Sequence, residues 1–122
     1  MTKRILVVED QVDNRQILRD LLASADYEIT EAENGEEALA AVAKQRPDLI
    51  LMDIQLPIMD GYEATRRIKA NPAWKDIPII VVTSYALSGD EAKARDAGCD
   101  AYVTKPYSPR ALLAKIREYM PK

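Results

Sequence analysis

The chain has no histidine and a single cysteine, Cys99, in 122 residues. Without histidine there is no His-type zinc site, no His-based catalytic triad and no phosphohistidine on this chain. One cysteine closes no internal disulfide, and an isolated thiol usually serves as a small buried apolar group. No apolar stretch approaches the ~20 residues needed to span a membrane. The basic start Met1-Thr2-Lys3-Arg4 precedes only four apolar residues before Glu9, which is too short for a secretory signal and points to the cytoplasm. Strong charge of one sign is also missing: the formal net charge is −3, which argues against nucleic acid as the main partner. There is no internal repeat, low-complexity segment or linker. The expectation is one domain over residues 1–122, with no output domain attached.

Strand-like and helix-period segments alternate five times along the chain. The apolar runs predict strands over Lys3–Val8, Asp48–Asp53, Ile77–Val82 and Asp100–Thr104, and the more polar Tyr27–Glu31 an edge strand. Between them, periodicity predicts a helix from about Asp13 with Ile17, Leu18, Leu21, Leu22 and Ala25 inward, and one from Asn34-Gly35 with Ala38, Leu39, Val42 and Ala43 inward. A third helix runs to about Lys69, where Asn71-Pro72 ends it. A fourth is opened by a Ser88–Glu91 capping box and closed at Ala97-Gly98. A fifth starts near Ser108 and buries Leu112, Leu113, Ile116 and Met120. Such alternation implies an α/β, doubly wound parallel sheet with helices on both faces.

Ligands of open parallel sheets bind at the carboxyl ends of the strands. There the sequence places Glu9-Asp10, Asp53, Thr83 and Lys105. Magnesium takes oxygen ligands and keeps several waters. Asp10 and Asp53 fit as direct ligands, with Glu9 close by or acting through water, and the backbone carbonyl of Gln55 could complete the set. Three clustered carboxylates repel one another unless a cation intervenes. With the cation present, an aspartate can attack phosphorus. Lys105 and Thr83 would then serve the added oxygens as a charge and a hydroxyl donor. Taken singly, each of these residues reads as a solvated acid, a surface lysine or an ordinary strand-end threonine. Their common edge favours function. Lys105-Pro106 is read as trans by default, although the cis form of an X-Pro bond is accessible.

Four segments, Val7-Val8-Glu9-Asp10, Leu51 to Gly61, Val81-Val82-Thr83-Ser84 and Tyr102-Val103-Thr104-Lys105-Pro106, make the chain resemble the receiver domain of two-component response regulators over essentially its whole length. Asp48–Pro57 and Gly98–Pro106 are similar to a stand-alone cell-division regulator of that family. The resemblance implies a flavodoxin-like strand order 2-1-3-4-5. It implies Asp53 as phosphoacceptor, Glu9 and Asp10 as the magnesium-holding pair, Thr83 as switch hydroxyl, Lys105 as phosphate contact and Tyr102 as switch aromatic. Without the resemblance, Tyr102 reads equally well as a strand tyrosine half covering the core. The implied donor is a phosphohistidine on a histidine kinase or histidine phosphotransfer protein, and the implied output is a separate target protein. Ser84 stands where many members carry alanine, and Gln55 and Tyr85 lie where the family tunes dephosphorylation.

Three rivals remain. A phosphatase with an aspartate nucleophile would need a second acid at Gln55. A flavin site would need a hydroxyl-rich loop where Glu9-Asp10-Gln11-Val12-Asp13 stands. The same fold could also serve as an unphosphorylated docking module. Arg110, Lys115, Arg117 and Glu118 make the last helix a solvated face, so a monomer is expected, with a weak homodimer as the alternative.

Overall fold

The computed structural model describes residues 2–83 and 90–120. Strands and helices alternate strictly: β1 (Arg4–Val8), α1 (Val12–Ser24), β2 (Glu28–Ala32), α2 (Gly35–Lys44), β3 (Leu49–Met52), α3 (Gly61–Ala70), β4 (Ile79–Thr83), α4 (Asp90–Ala97), β5 (Ala101–Thr104) and α5 (Pro109–Tyr119). The five strands pair in the order β2-β1-β3-β4-β5, all parallel. This is the expected doubly wound sheet, with β2 at one edge.

The runs Ile5 to Val8 and Leu49 to Met52 are buried throughout because each strand is covered on both faces. Alternate side chains supply two cores. Ile5, Val7, Leu49, Leu51, Ile80 and Val82 face α1 and α5, meeting Leu18, Leu22, Leu112 and Ile116. Leu6, Val8, Ile50, Met52 and Ile79 face α2 and α3, meeting Ala38, Val42, Ala64 and Ile68. A small third cluster, Ile54, Val81 and Ala94, lies under α4 with Tyr102, Tyr62 and Cys99 against it. Cys99 thus packs as an apolar group, half buried.

Capping residues set the helix ends. Asn34 accepts from the Glu37 amide at 2.8 Å, Asp60 from Glu63 at 2.9 Å and Ser108 from Ala111 at 3.3 Å. Helix α4 closes as expected at Gly98, which has φ 105°; its amide donates to Arg95 and that of Cys99 to Ala94. Helix α1 ends in the same double-bond motif, with Asp26 at φ 68° in the glycine position.

Several sequence expectations need correction. Ile17 is 58% exposed: Leu18, Leu21, Leu22 and Ala25 already complete the inward i, i+3, i+4, i+7 set, and Ile17 stands about 100° away from Leu18. Ala43 is exposed for the same reason, one position beyond Val42. Strand β4 starts at Ile79, not Ile77, since Pro78 has no amide to give the ladder and only its carbonyl is used, by Ile50. Strand β2 starts at Glu28 because the Tyr27 amide is spent closing α1. The Lys105–Pro106 bond is cis; X-Pro is the one bond type for which that form costs as little as about 0.5–1 kcal/mol. Ser88, the cap of the expected box, and Ser84 and Tyr85 lie outside the described residues.

Candidate functional site

The register brings the strand ends together. Val8 is paired with Met52, and the Asp53 amide continues the ladder to the Val8 carbonyl at 3.0 Å. Glu9 and Asp10 leave β1 beside Asp53. On the other side Thr83 is paired with Thr104, and the Lys105 amide donates to the Thr83 carbonyl at 2.8 Å. Carboxylate oxygens of Glu9, Asp10 and Asp53 lie within 4.8 Å of one another. Lys105 Nζ stands 2.7 Å from Glu9 Oε1 and 3.7 Å from Asp53 Oδ2. Four of the expected site residues therefore form one cluster although Glu9 and Lys105 are 96 positions apart in sequence.

Charge is imbalanced here: three carboxylates face one ammonium. Glu9 is buried, with Oε1 on Lys105 and Oε2 accepting from the Gln11 amide at 3.3 Å. Burial, with the hydrogen bond and charge of Glu9 behind it, raises the Asp10 carboxyl above its usual 3.8. Burial also opposes the charge of Lys105, but its bond to Glu9 and the charges of Asp53 and Glu9 outweigh that and hold it above the usual 10.5. The set consists of hard oxygen donors on two strand ends, which suits a magnesium ion bound through carboxylates and water.

The loop after β3 is shaped around Asp53. Its Oδ1 accepts from the Ile54 amide at 2.7 Å. The Ile54 carbonyl accepts from Leu56 and from Gly61, and the Met59 amide turns back onto Pro57 at 2.7 Å across Ile58, whose φ is 70°. A Cβ on Gly61 would lie 2.0 Å from the Asp53 carbonyl oxygen, so glycine is required there by close approach. Gln55, two residues past Asp53, is exposed in this loop.

Thr83 is buried at the end of β4, on the same edge. Tyr102 does not join the acidic cluster. It is half buried on the opposite sheet face from Val103 and packs toward α4, whose buried side chains among the described residues are Ala94 and Ala97. Beside Lys105 an open groove of about 290 Å³ is lined by Asn14, Ile17, Leu18, Pro106, Tyr107 and Pro109. Sequence reasoning did not single out Arg15, whose Nη1 donates to the Glu9 carbonyl at 2.9 Å. The available signal was a basic residue one helical turn past the acidic pair.

The profile of the response regulator receiver domain matches residues 5–117. This chain belongs to that family. It is the receiver domain of a two-component response regulator. The polar-differentiation response regulator DivK of Brucella anthropi is 42% identical over 120 residues, covering 98% of both chains, and that of Brucella abortus is equally similar. Among solved structures, a putative response regulator from Chloroflexus aurantiacus superposes with a TM-score of 0.95 at 30% identity, covering both chains fully. The receiver domain of the sensor histidine kinase PA1611 from Pseudomonas aeruginosa gives a TM-score of 0.92 at 35% identity, again with full coverage. In that structure a magnesium ion is coordinated in the active-site cleft. The strand order expected from the resemblance is the one observed.

Proposed function

We propose that this receiver takes a phosphoryl group onto Asp53 from a phosphohistidine on a separate histidine kinase or histidine phosphotransfer protein. The observation that carries the reading is the cluster itself: Glu9, Asp10 and Asp53 oxygens within 4.8 Å, with Lys105 Nζ 3.7 Å from Asp53. Glu9, Asp10 and Asp53 would hold magnesium, with the Gln55 carbonyl as a further ligand. The ion supplies charge neutralisation for phosphoryl transfer. An oxygen of Asp53 forms the new O–P bond as the P–N bond to the donor imidazole breaks, and the imidazole leaves with a proton. The Ile54 amide keeps the Asp53 carboxylate oriented, and Lys105 faces the incoming oxygens. The chain lacks histidine, which accords with an external donor.

The new phosphoryl group adds about 1.5 to 2 negative charges. Thr83, buried on the same edge, is the hydroxyl that would turn toward it, and Tyr102 would move with it against α4. With alanines as its buried side chains among the described residues, α4 has little apolar anchoring and is easily displaced. The output is a separate protein that reads the α4-β5-α5 face, and the protein acts as a signalling switch in the cytoplasm rather than as an enzyme with turnover. Among the described residues no helix is long and apolar enough to cross a membrane. A monomer or weak homodimer suffices for this role, and neither nucleic acid nor membrane is a direct partner.

Intact mass after incubation with acetyl phosphate tests the reading. A gain of one phosphoryl group with magnesium, absent in Asp53→Asn and in EDTA, is the expected result. No gain from acetyl phosphate or from a phosphohistidine protein would leave an unphosphorylated docking module as the better reading.

A further inference from the structure

We infer that Arg15 is a positioning residue that holds the Glu9–Asp10 turn in the shape the cation site needs; this rests on the cation site proposed above. The Arg15 side chain is only 12% exposed. Its Nη1 donates to the Glu9 carbonyl at 2.9 Å, and its Nε donates to Glu31 Oε1 at 3.2 Å. Glu33 Oε1 lies 3.5 Å from the same Nη1. One guanidinium thus ties α1 to the carboxyl ends of β1 and β2. Glu31 is fixed in turn by Arg19, which donates to its two oxygens at 2.9 and 2.8 Å.

The Glu9 carbonyl belongs to the peptide joining the two acids. Fixing that peptide fixes the point from which both side chains depart. Glu9 then reaches Lys105 and the Gln11 amide, while its own amide donates to Ala32 at 3.0 Å. The positive charge of Arg15 faces Glu31 and Glu33, so it does not cancel the negative field the cation requires. Arginine suits this place because its planar fork serves a carbonyl and a carboxylate at once. A lysine would keep the charge and lose the simultaneous reach. Arg15→Lys therefore separates geometry from charge.

The test is calorimetric titration of the metal-free full chain with MgCl2, comparing wild type, Arg15→Lys and Arg15→Met. Arg4→Lys is the control, since Arg4 pairs with Glu28 at the far end of β1. Loss of such an outer support of a metal site weakens binding by about tenfold. That is the expected result for both Arg15 variants, with Arg4→Lys unchanged and the Gln11 amide exchanging faster in metal-free Arg15→Lys. Arg15→Lys binding magnesium as tightly as wild type would overturn the inference, including the case in which only its thermal midpoint falls. Wild type showing no magnesium binding at all would instead overturn the cation site, and the inference with it.

Discussion

Removing the charge of Asp53 should make the metal-free protein more stable. Asp53 lies in a half-buried cluster whose acidic oxygens are within 4.8 Å of one another, where a like-charge pair at an effective dielectric of ~20 repels by about 3.5 kcal/mol. Asp53 has two such neighbours, Glu9 and Asp10. Against them stands one attraction, to Lys105 at 3.7 Å, worth about 4.5 kcal/mol on the same scale. Lys105 keeps its closer partner Glu9 when Asp53 is neutralised. An asparagine is nearly isosteric, and its Oδ1 can still accept the Ile54 amide. Repulsion therefore exceeds attraction, by a margin that solvent screening reduces to about 1 kcal/mol. For a domain of this size that is a rise of about 4 °C in the thermal midpoint. The assay is thermal and urea unfolding near neutral pH and low salt, in EDTA and again in magnesium. In EDTA, Asp53→Asn should unfold later than wild type. Magnesium at about tenfold over its Kd should add about 1.4 kcal/mol to wild type, and much less to a variant that has lost one ligand. An Asp53→Asn protein that unfolds earlier than wild type in EDTA, or together with it, would refute the electrostatic reasoning.

Other consequences are as specific. Asp26→Gly should stabilise the fold by about 0.5–1 kcal/mol in urea unfolding, because an exposed non-glycine residue holds a left-handed helix end at φ 68°. Gly61→Ala should abolish phosphoryl uptake and lower the melting temperature, since its Cβ would meet the Asp53 carbonyl at 2.0 Å; retained uptake would show that the loop yields. The Arg19 bond lowers the Glu31 carboxyl below its usual 4.5. A carboxyl with a lowered folded pKa contributes stability that is present above the unfolded value and lost as pH falls through the folded one. Glu31→Gln should therefore be less stable than wild type above about pH 4.5 and converge with it at lower pH, in urea midpoints measured across that range.

The sequence made the sheet legible because parallel strands covered on both faces leave unbroken apolar runs, as in Ile5 to Val8 and Leu49 to Met52. Strand ends then placed Glu9, Asp10, Asp53, Thr83 and Lys105 on one edge. Helix faces were less legible at their margins: Ile17 and Ala43 are apolar yet exposed, since periodicity marks the centre of a buried stripe more sharply than its border. Proline chemistry moved the start of β4, and the closing motif of α1 moved the start of β2. The pairing of Lys105 with Glu9 needed the topology, because nothing local links residues so distant in the chain. Arg15 was hidden for a related reason. Its hydrogen bond to the acidic pair goes to a backbone carbonyl, and backbone acceptors leave no mark on the residue types around them.

The central claim is that Asp53 is the residue that carries the phosphoryl group. Borohydride reduction tests it at the level of one side chain, since an acyl phosphate on aspartate is reduced to homoserine. The protein should be treated with phosphodonor and magnesium, reduced, digested and mapped by peptide mass spectrometry. Homoserine at position 53, present only when donor and magnesium are both supplied, is the expected result. Homoserine at Asp10 or any other acid, with Asp53 unchanged, would contradict the account.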